Sequence, residues 1–302
     1  MPSHLCDRFL KDGWHVLAVD NFCTGRHSNI AHLQGVAGFE LLEQDVSVPF
    51  TVAGPLDAVL HFASPASPID YLRLPIETLQ VGSLGTMNLL EIAREKRARF
   101  LMASTSEIYG DPLEHPQRES YLGNVSSIGP RSVYDEAKRF SEAAVMGWRS
   151  ARGVDTKIIR IFNTYGPRMK SGDGRVVSNF IVQALRGEKL TVYGDGLQTR
   201  SFCYVSDLVD GIVRVLERGD HMPYNLGNPG EFTMLELVQE IAKQIGHVDI
   251  VHMPLPKDDP TRRKPDITRA QTDLGWAPTV PLQEGLVSMI ADLRARLAAG
   301  EE

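Results

Sequence analysis

The sequence predicts an α/β protein, a doubly wound parallel sheet with a smaller C-terminal lobe, and three observations predict it. Short apolar runs ("HVLAVD", "FELLEQDV", "AVLHFAS", "RFLMASTS") alternate with longer amphipathic stretches, the pattern of parallel strands covered by helices. A long helical stretch from Val133 to Arg152 then leads into the strand "TKIIRIFNTYG", which continues the alternation. After Pro167 the pattern turns irregular, with Gly and Asp in "KSGDGR", and this marks the start of the second lobe. At 302 residues and 42% hydrophobic content the chain can bury the core that such a fold requires.

Taken in order, Ser3 to Lys11 has helical spacing of Leu5, Phe9 and Leu10, and Gly13 ends it. His15 to Val19 is a β-branched run that ends in Asp20. The strands at "FELLEQDV" and "AVLHFAS" follow, then a long helix from about Ile76 to Lys96 and the strand "RFLMASTS". In the lobe, Val176 to Arg186 is a helix, and "LTVYG" and "FCYV" are short strands. "SDLVDGIVRVLERG" and "TMLELVQEIAKQIG" are helices capped by Ser206 and Thr233, the latter with Glu236 at capping-box spacing. "PLPKDDPTRRKPD" is a proline-rich, charged loop before the last helices. The expected division is residues 1–166 and 167–302, with segments at about 200–230 returning to the first unit.

Composition narrows the function classes. The net charge is -6 and the pI near 5.9, with charges interspersed and no basic stripe, so nucleic acid is not an expected partner. No apolar run approaches the roughly 20 residues that span a bilayer, and the N-terminus lacks signal-peptide character; no membrane association and a cytoplasmic protein are expected. Cys6, Cys23 and Cys203 are odd in number and widely spaced, which fits reduced cysteines and no metal site.

Two groups of residues carry chemistry. Asp20, at the end of the second strand of a doubly wound sheet, is placed to accept both hydroxyls of an adenosine ribose, which favours NAD over NADP; it equally suits capping the turn "DNFCTG". Asp45, after the third strand, has the same two readings, an adenine contact or a turn. In "YDEAK", Tyr134 and Lys138 stand four apart and share one helix face. An ammonium beside a phenol favours the phenolate, so Lys138 is expected to draw Tyr134 down from about 10 and let it take a proton from an alcohol. The pattern alone also describes a surface lysine near a tyrosine. It gains weight from "STSEIYG" (Ser104 to Gly110), which sets hydroxyls and a carboxylate at a strand's carboxyl end, where open α/β sheets bind ligands.

On "VDNFCTGRHSNIAHL", "HFASPASP", "ASTSEIYGDP", "IGPRSVYDEAKR", "RIFNTYGPRM", "DGRVVSNFI", "TVYGDGLQTRSFCYVSDLV", "YNLGNPGE" and "RRKPDI", the chain resembles the extended short-chain dehydrogenase/reductases that modify nucleotide sugars. Within them it is most similar to the UDP-glucuronate decarboxylases, from Ser3 to about Leu297. The resemblance implies a Rossmann-like fold, NAD as cofactor, a UDP-sugar substrate and a homodimer formed by the helices at Ile76 to Lys96 and Val133 to Arg152. It implies Tyr134 and Lys138 as the catalytic pair and Thr105 as the hydroxyl that bonds the sugar 4-hydroxyl. Ser106 stands where the related 4,6-dehydratases have aspartic acid, and a serine is too weak an acid to protonate a leaving hydroxyl. Glu107 would manage a proton at the sugar 5-carbon, and Arg200 would face the substrate carboxylate, although an arginine there also suits a surface ion pair.

Cofactor contacts carried over are Asp20, Asn21, Thr24, Gly25, Asp45, Val46, His61, Ala63 and Ser64, with Tyr134 and Lys138; His61 has a core-bonding reading as well. Substrate contacts are Asn163, Arg175, Val177, Arg200 and Arg263, while Arg168 has no assigned role. The implied reaction is oxidation at the 4-hydroxyl, loss of carbon dioxide from the resulting β-keto acid, and re-reduction to UDP-xylose. A 4-epimerase or dehydratase is the alternative enzyme.

Relatives open with a stretch like "ILVTGGAGFIGSHL", of which "SHL" is here Ser3 to Leu5 and Pro2 takes the place of the last glycine. No GxxGxxG or GxGxxG is found elsewhere. The expectations are weakened cofactor binding and a sheet interrupted between "HVLAVD" and "AVLHFAS". A true start upstream, a truncated enzyme, and a naturally short non-catalytic binding or dimerisation protein are the three readings.

Overall fold

The computed structural model describes residues 1–254 and 262–301. In chain order the elements of the first part are α1 (Pro2–Lys11), β1 (Val16–Asp20), β2 (Phe39–Glu43), β3 (Ala58–His61), α2 (Pro68–Arg73), α3 (Pro75–Gln80), a π turn (Val81–Gly85), α4 (Thr86–Lys96), β4 (Arg99–Thr105), α5 (Ser132–Arg152), β5 (Thr156–Ile161) and β6 (Thr164–Tyr165). There follow α6 (Val176–Leu185), β7 (Leu190–Tyr193), β8 (Thr199–Ser201), β9 (Cys203–Tyr204), α7 (Val205–Arg218), β10 (Tyr224–Leu226), β11 (Glu231–Thr233), α8 (Met234–Ile245), β12 (Ile250–Met253), β13 (Arg262–Arg263), α9 (Thr268–Leu274) and α10 (Leu282–Ala298). Most of the predicted proline-rich loop lies outside the described residues.

β4 shows why the sheet has helices on both faces. Its alternate side chains enter different cores: Leu101 and Ala103 pack with Leu5 and Phe9 of α1, Leu208 and Ile212 of α7 and Trp276. Phe100 and Met102 pack with Leu90 and Ala93 of α4 and Val145 of α5. A strand with four successive apolar residues, Phe100 to Ala103, must be covered on both sides, and that is the doubly wound arrangement. The parallel strands run β3–β4–β5–β10 in one sheet and β1–β2 in another. Among the described residues β1 and β3 are not paired, although both supply side chains to the same two cores. The expected interruption is therefore present. The third core, from α6, α8 and α10, includes Phe180, Ile181, Leu237, Ile241, Leu286 and Leu293.

Two expectations are corrected. The long helix over Ile76 to Lys96 is two helices joined by the π turn, with the short α2 before it. The turn forms because Gly82 lies against α5: a Cβ on it would sit 2.6 Å from the Ala137 Cβ. The Gly82 carbonyl accepts from the hydroxyls of Ser141 and Thr86, which widens the helix locally. Ser206 is not a cap, since α7 starts one residue earlier with Tyr204 at the N-cap. Strands β8, β10, β11, β12 and β13 are two to four residues long, too short to show a period. Thr233 and Glu236 do form the predicted capping box.

Substituting Gly82→Ala forces α5 off the π turn and is expected to destabilise the protein by about 1–3 kcal/mol. Urea unfolding followed by circular dichroism measures it, and an unchanged midpoint would show that the contact does not constrain the helix.

Candidate active site

A cleft of about 780 Å³ runs from the end of β1 across the carboxyl ends of β3, β4 and β5 to the C-terminal lobe. Of the residues singled out from sequence, Asp20, Asn21, Thr24, Gly25, Asp45, Val46, Ala63, Ser64, Thr105, Ser106, Glu107, Tyr134, Lys138, Asn163, Arg175, Val177, Arg200 and Arg263 line it. His61 does not. It is buried behind β3, its Nε2 3.2 Å from Thr86 Oγ1, and burial followed by the nearby Lys138 charge push it down to about 3, so it is a neutral core residue.

At the β1 end, Asp20 accepts the backbone N–H of Phe22 through one oxygen, so the turn-capping reading is realised. A Cβ on Gly25 would lie 3.0 Å from the other oxygen, so this cradle is open only because residue 25 is glycine. Asn21 bridges to Asp45, whose second oxygen accepts from Ser47 N–H. α1 begins at the cleft with no side-chain cap, and Met1 and Pro2 line the cleft there. A strand-end carboxylate beside an open cradle, with a helix N-terminus nearby, is a donor set that fits a dinucleotide.

At the other end stand Tyr134 and Lys138 on α5, both buried. Lys138 Nζ donates to the Ala103 carbonyl at 2.9 Å and lies 5.9 Å from the Tyr134 ring centroid. The expected depression of the phenol is reversed in this structure. Burial pushes Tyr134 up to about 12, against a hydrogen bond with Thr105 that lowers it. Burial likewise pushes Lys138 down to about 8. For each group the loss of water on burial is the largest cause of its shift. Tyr71 stacks on Tyr134 with centroids 5.1 Å apart and planes 9° from parallel.

Glu107 is the electrostatic centre. Burial alone would raise its pKa, yet Arg263 and Arg131 hold it below the usual carboxylate range, with Arg200 contributing. Arg131 Nη2 meets one carboxylate oxygen at 2.5 Å, and Arg263 pairs with the other while also bonding Ser106 Oγ and the Gly110 carbonyl. Arg263, expected as a substrate contact, lines the cleft and is at the same time paired with Glu107. Arg200 and Arg263 are register partners on β8 and β13. The sequence reading missed Arg131 and Tyr71. Arg131 had a signal, three positions before Tyr134 at the start of the same helix, whereas the pairing of Tyr71 with α5 is purely tertiary.

A family model described as the NAD dependent epimerase/dehydratase family matches residues 2–227. The chain belongs to that family. It is 50% identical over 301 residues to UDP-glucuronic acid decarboxylase 1 of Arabidopsis thaliana, covering 99% of this chain and 69% of that protein. The UDP-glucose 4-epimerase of Thermotoga maritima, solved with UDP-glucose, is similar at 27% identity and a TM-score of 0.88, covering 98% of this chain and 96% of that one. The UDP-glucuronic acid 4-epimerase of Bacillus cereus, solved with UDP-glucuronic acid and NAD, is similar at 25% identity and a TM-score of 0.86, covering 97% and 95%. The cleft of this epimerase/dehydratase family member has NAD as its cofactor.

Beside the site, Asp135 is buried with Oδ1 unpartnered, and burial, then the Glu107 charge, push it from 3.8 up to about 7. The folded state holds that proton more tightly than the unfolded chain, so stability falls as pH rises between those values. Asp135→Asn removes the cost. Its melting temperature should exceed the wild type's by several degrees at pH 8 and by little at pH 4, as differential scanning calorimetry would record.

Proposed function

We propose that this chain catalyses the NAD-dependent decarboxylation of UDP-glucuronate to UDP-xylose through a 4-keto intermediate. The observation that carries the reading is the grouping at the end of β4: Tyr134, Lys138 and Thr105 beside Glu107, with Ser106 accepting from Arg263 where a dehydratase needs an acid. Sequence identity with the decarboxylases over nearly the whole chain supports it.

Bound NAD supplies the hydride acceptor for sugar C4 and returns the hydride at the end. Tyr134 takes the 4-hydroxyl proton, with Thr105 orienting that hydroxyl. Burial holds the phenol high, against the hydrogen bond with Thr105 that lowers it, and Lys138 on the same helix face is assigned the role of stabilising the phenolate. Arg200, close enough to act on Glu107, receives the substrate carboxylate as a fork-shaped partner. Once C4 is a ketone, the carboxylate leaves as carbon dioxide and its electron pair enters an enolate whose oxygen the Tyr134 and Thr105 hydroxyls bond. Glu107 is held ionised by two arginines, so the proton for C5 comes through a water bound to it. Asn163, Arg175 and Val177 line the part of the cleft assigned to the UDP moiety, and Asp20, Asn21, Thr24, Gly25, Asp45, Val46, Ala63 and Ser64 the part assigned to NAD. The lobe division near residue 167 then separates cofactor from substrate, with α7 and β10 returning to the first unit.

We also read the protein as a cytoplasmic homodimer. Ile76, Leu79, Leu84 and Phe140 are exposed on α3, the π turn and α5, and no helix among the described residues is long and apolar enough to cross a membrane.

Incubation with UDP-glucuronate and NAD, followed by proton NMR and trapping of carbon dioxide, tests the reaction. UDP-xylose with stoichiometric carbon dioxide is expected. A 4-epimer without gas would assign an epimerase, and binding without turnover a non-catalytic protein. Tyr134→Phe and Glu107→Gln should each lower turnover by roughly 10²–10⁴-fold, Glu107→Gln also losing stability because it removes the buried counter-charge that Arg131 and Arg263 share. For the dimer, the double variant Leu84→Glu, Phe140→Glu should elute as a monomer in light-scattering chromatography where the wild type has twice the mass.

A further inference from the structure

Three arginines remote in sequence meet where the turn after β1 touches the C-terminal lobe. Arg26 Nη2 donates to the Arg168 carbonyl at 3.3 Å, and Arg296 Nη2 donates to the Met169 carbonyl at 2.6 Å. Arg168 N–H and the Arg296 guanidinium share Asp292 Oδ2. Each of these arginines has an Nη1 atom that is buried and without a hydrogen-bond partner. An unpaired buried donor is costly, and a charged one more so. The three residues are tied together through the Arg168 and Met169 carbonyls and Asp292, and an acceptor that carries charge would satisfy their Nη1 donors.

The charge balance points the same way. Arg168 pairs with Asp7 at 2.6 Å and Arg296 with Asp292 at 2.8 Å, so those two carboxylates are engaged. Arg26 has no carboxylate within ion-pair distance among the described residues; Glu301, Asp292 and Asp173 act on it only from further away. Burial and the Arg296 charge both work against its protonated form. The backbone supports the cluster at a cost: Arg168 is a non-glycine residue at φ 64°, in the left-handed region, and this conformation brings its side chain to Asp7 while its carbonyl meets Arg26. Arg26 and Arg168 both line the cleft. Arg26 is the least tightly held of the three, by bonds of 3.3 and 3.4 Å.

We propose that Arg26, Arg168 and Arg296 form an oxyanion site that takes a phosphate group, supplied either by the diphosphate of the cofactor or by free inorganic phosphate. Guanidinium forks suit tetrahedral phosphate oxygens, and a phosphate would satisfy the Nη1 donors and offset the excess cation. It would also tie the cofactor turn to α10 through one ion. The site does not depend on the reaction proposed above, because its readout is binding.

Isothermal titration of inorganic phosphate, NAD and adenosine into the wild type, Arg26→Met and Arg296→Met tests it. If the cofactor supplies the phosphate, both variants bind NAD about tenfold or more weakly, as expected for a lost charge-assisted bond, while adenosine binding is unchanged. If free phosphate is the ligand, it binds and thermally stabilises the wild type, both effects vanish in the variants, and NAD affinity is unaltered. Either result supports the site and names the source. Variants that bind phosphate and NAD as the wild type does, or a wild type that binds neither, overturn it. Arg296 also holds Asp292 and Met169, so if its variant does not fold, Arg26→Met decides alone.

Discussion

The approach of α5 to the π turn is the contact on which the rest of the structure depends. Ala137 lies against Gly82 with no room for a Cβ between them, and the Ser141 hydroxyl bonds the Gly82 carbonyl one helical turn further on. That seating fixes the axis and rotation of a 21-residue helix. From this one helix come Arg131, Tyr134 and Lys138, all on the side toward the carboxyl end of β4. A helix held a fraction of an ångström further out would leave Lys138 short of the Ala103 carbonyl and Tyr134 short of Thr105. Geometry at a reacting centre is sensitive to displacements of that size.

The second organising feature is how charge is kept in a dry interior. Below the site, Arg160 forks onto Glu142, which also accepts from Ser104, while Arg160 reaches Tyr109 and the Glu119 carbonyl. At the site itself Glu107 is shared by Arg131 and Arg263. In both clusters the ions are paired and further hydrogen-bonded, the condition under which buried charge is tolerated. The consequence differs. The lower cluster has no lining residue in the cleft apart from Ser104, and serves to tie α5 to β4 and β5. The upper one opens to the cleft and sets which proton carriers are charged there.

Much of the site was legible in the sequence because its residues are grouped in short motifs at strand ends and on one helix. Tyr134 and Lys138 were found by helical spacing, Asp20 and Glu107 by their position after strands, and all of these line the cleft. What failed were statements about environment. The sequence places an ammonium beside a phenol but does not show how deeply the phenol is buried, and that burial reversed the expected shift of Tyr134. His61 reads the same whether it faces a cofactor or a threonine. That Arg263 pairs with Glu107, more than 150 residues away, is likewise invisible in the sequence.

The sequence by itself determined the class of fold, the run of helices and strands, and the residue types available for chemistry. These follow from periodicity and local spacing, which the chain carries wherever it goes. Only the tertiary structure decided which charges pair, which groups lose water, and that Arg26, Arg168 and Arg296 meet around one carbonyl pair. Burial and long-range pairing are properties of the packed chain, and a sum over local preferences does not contain them.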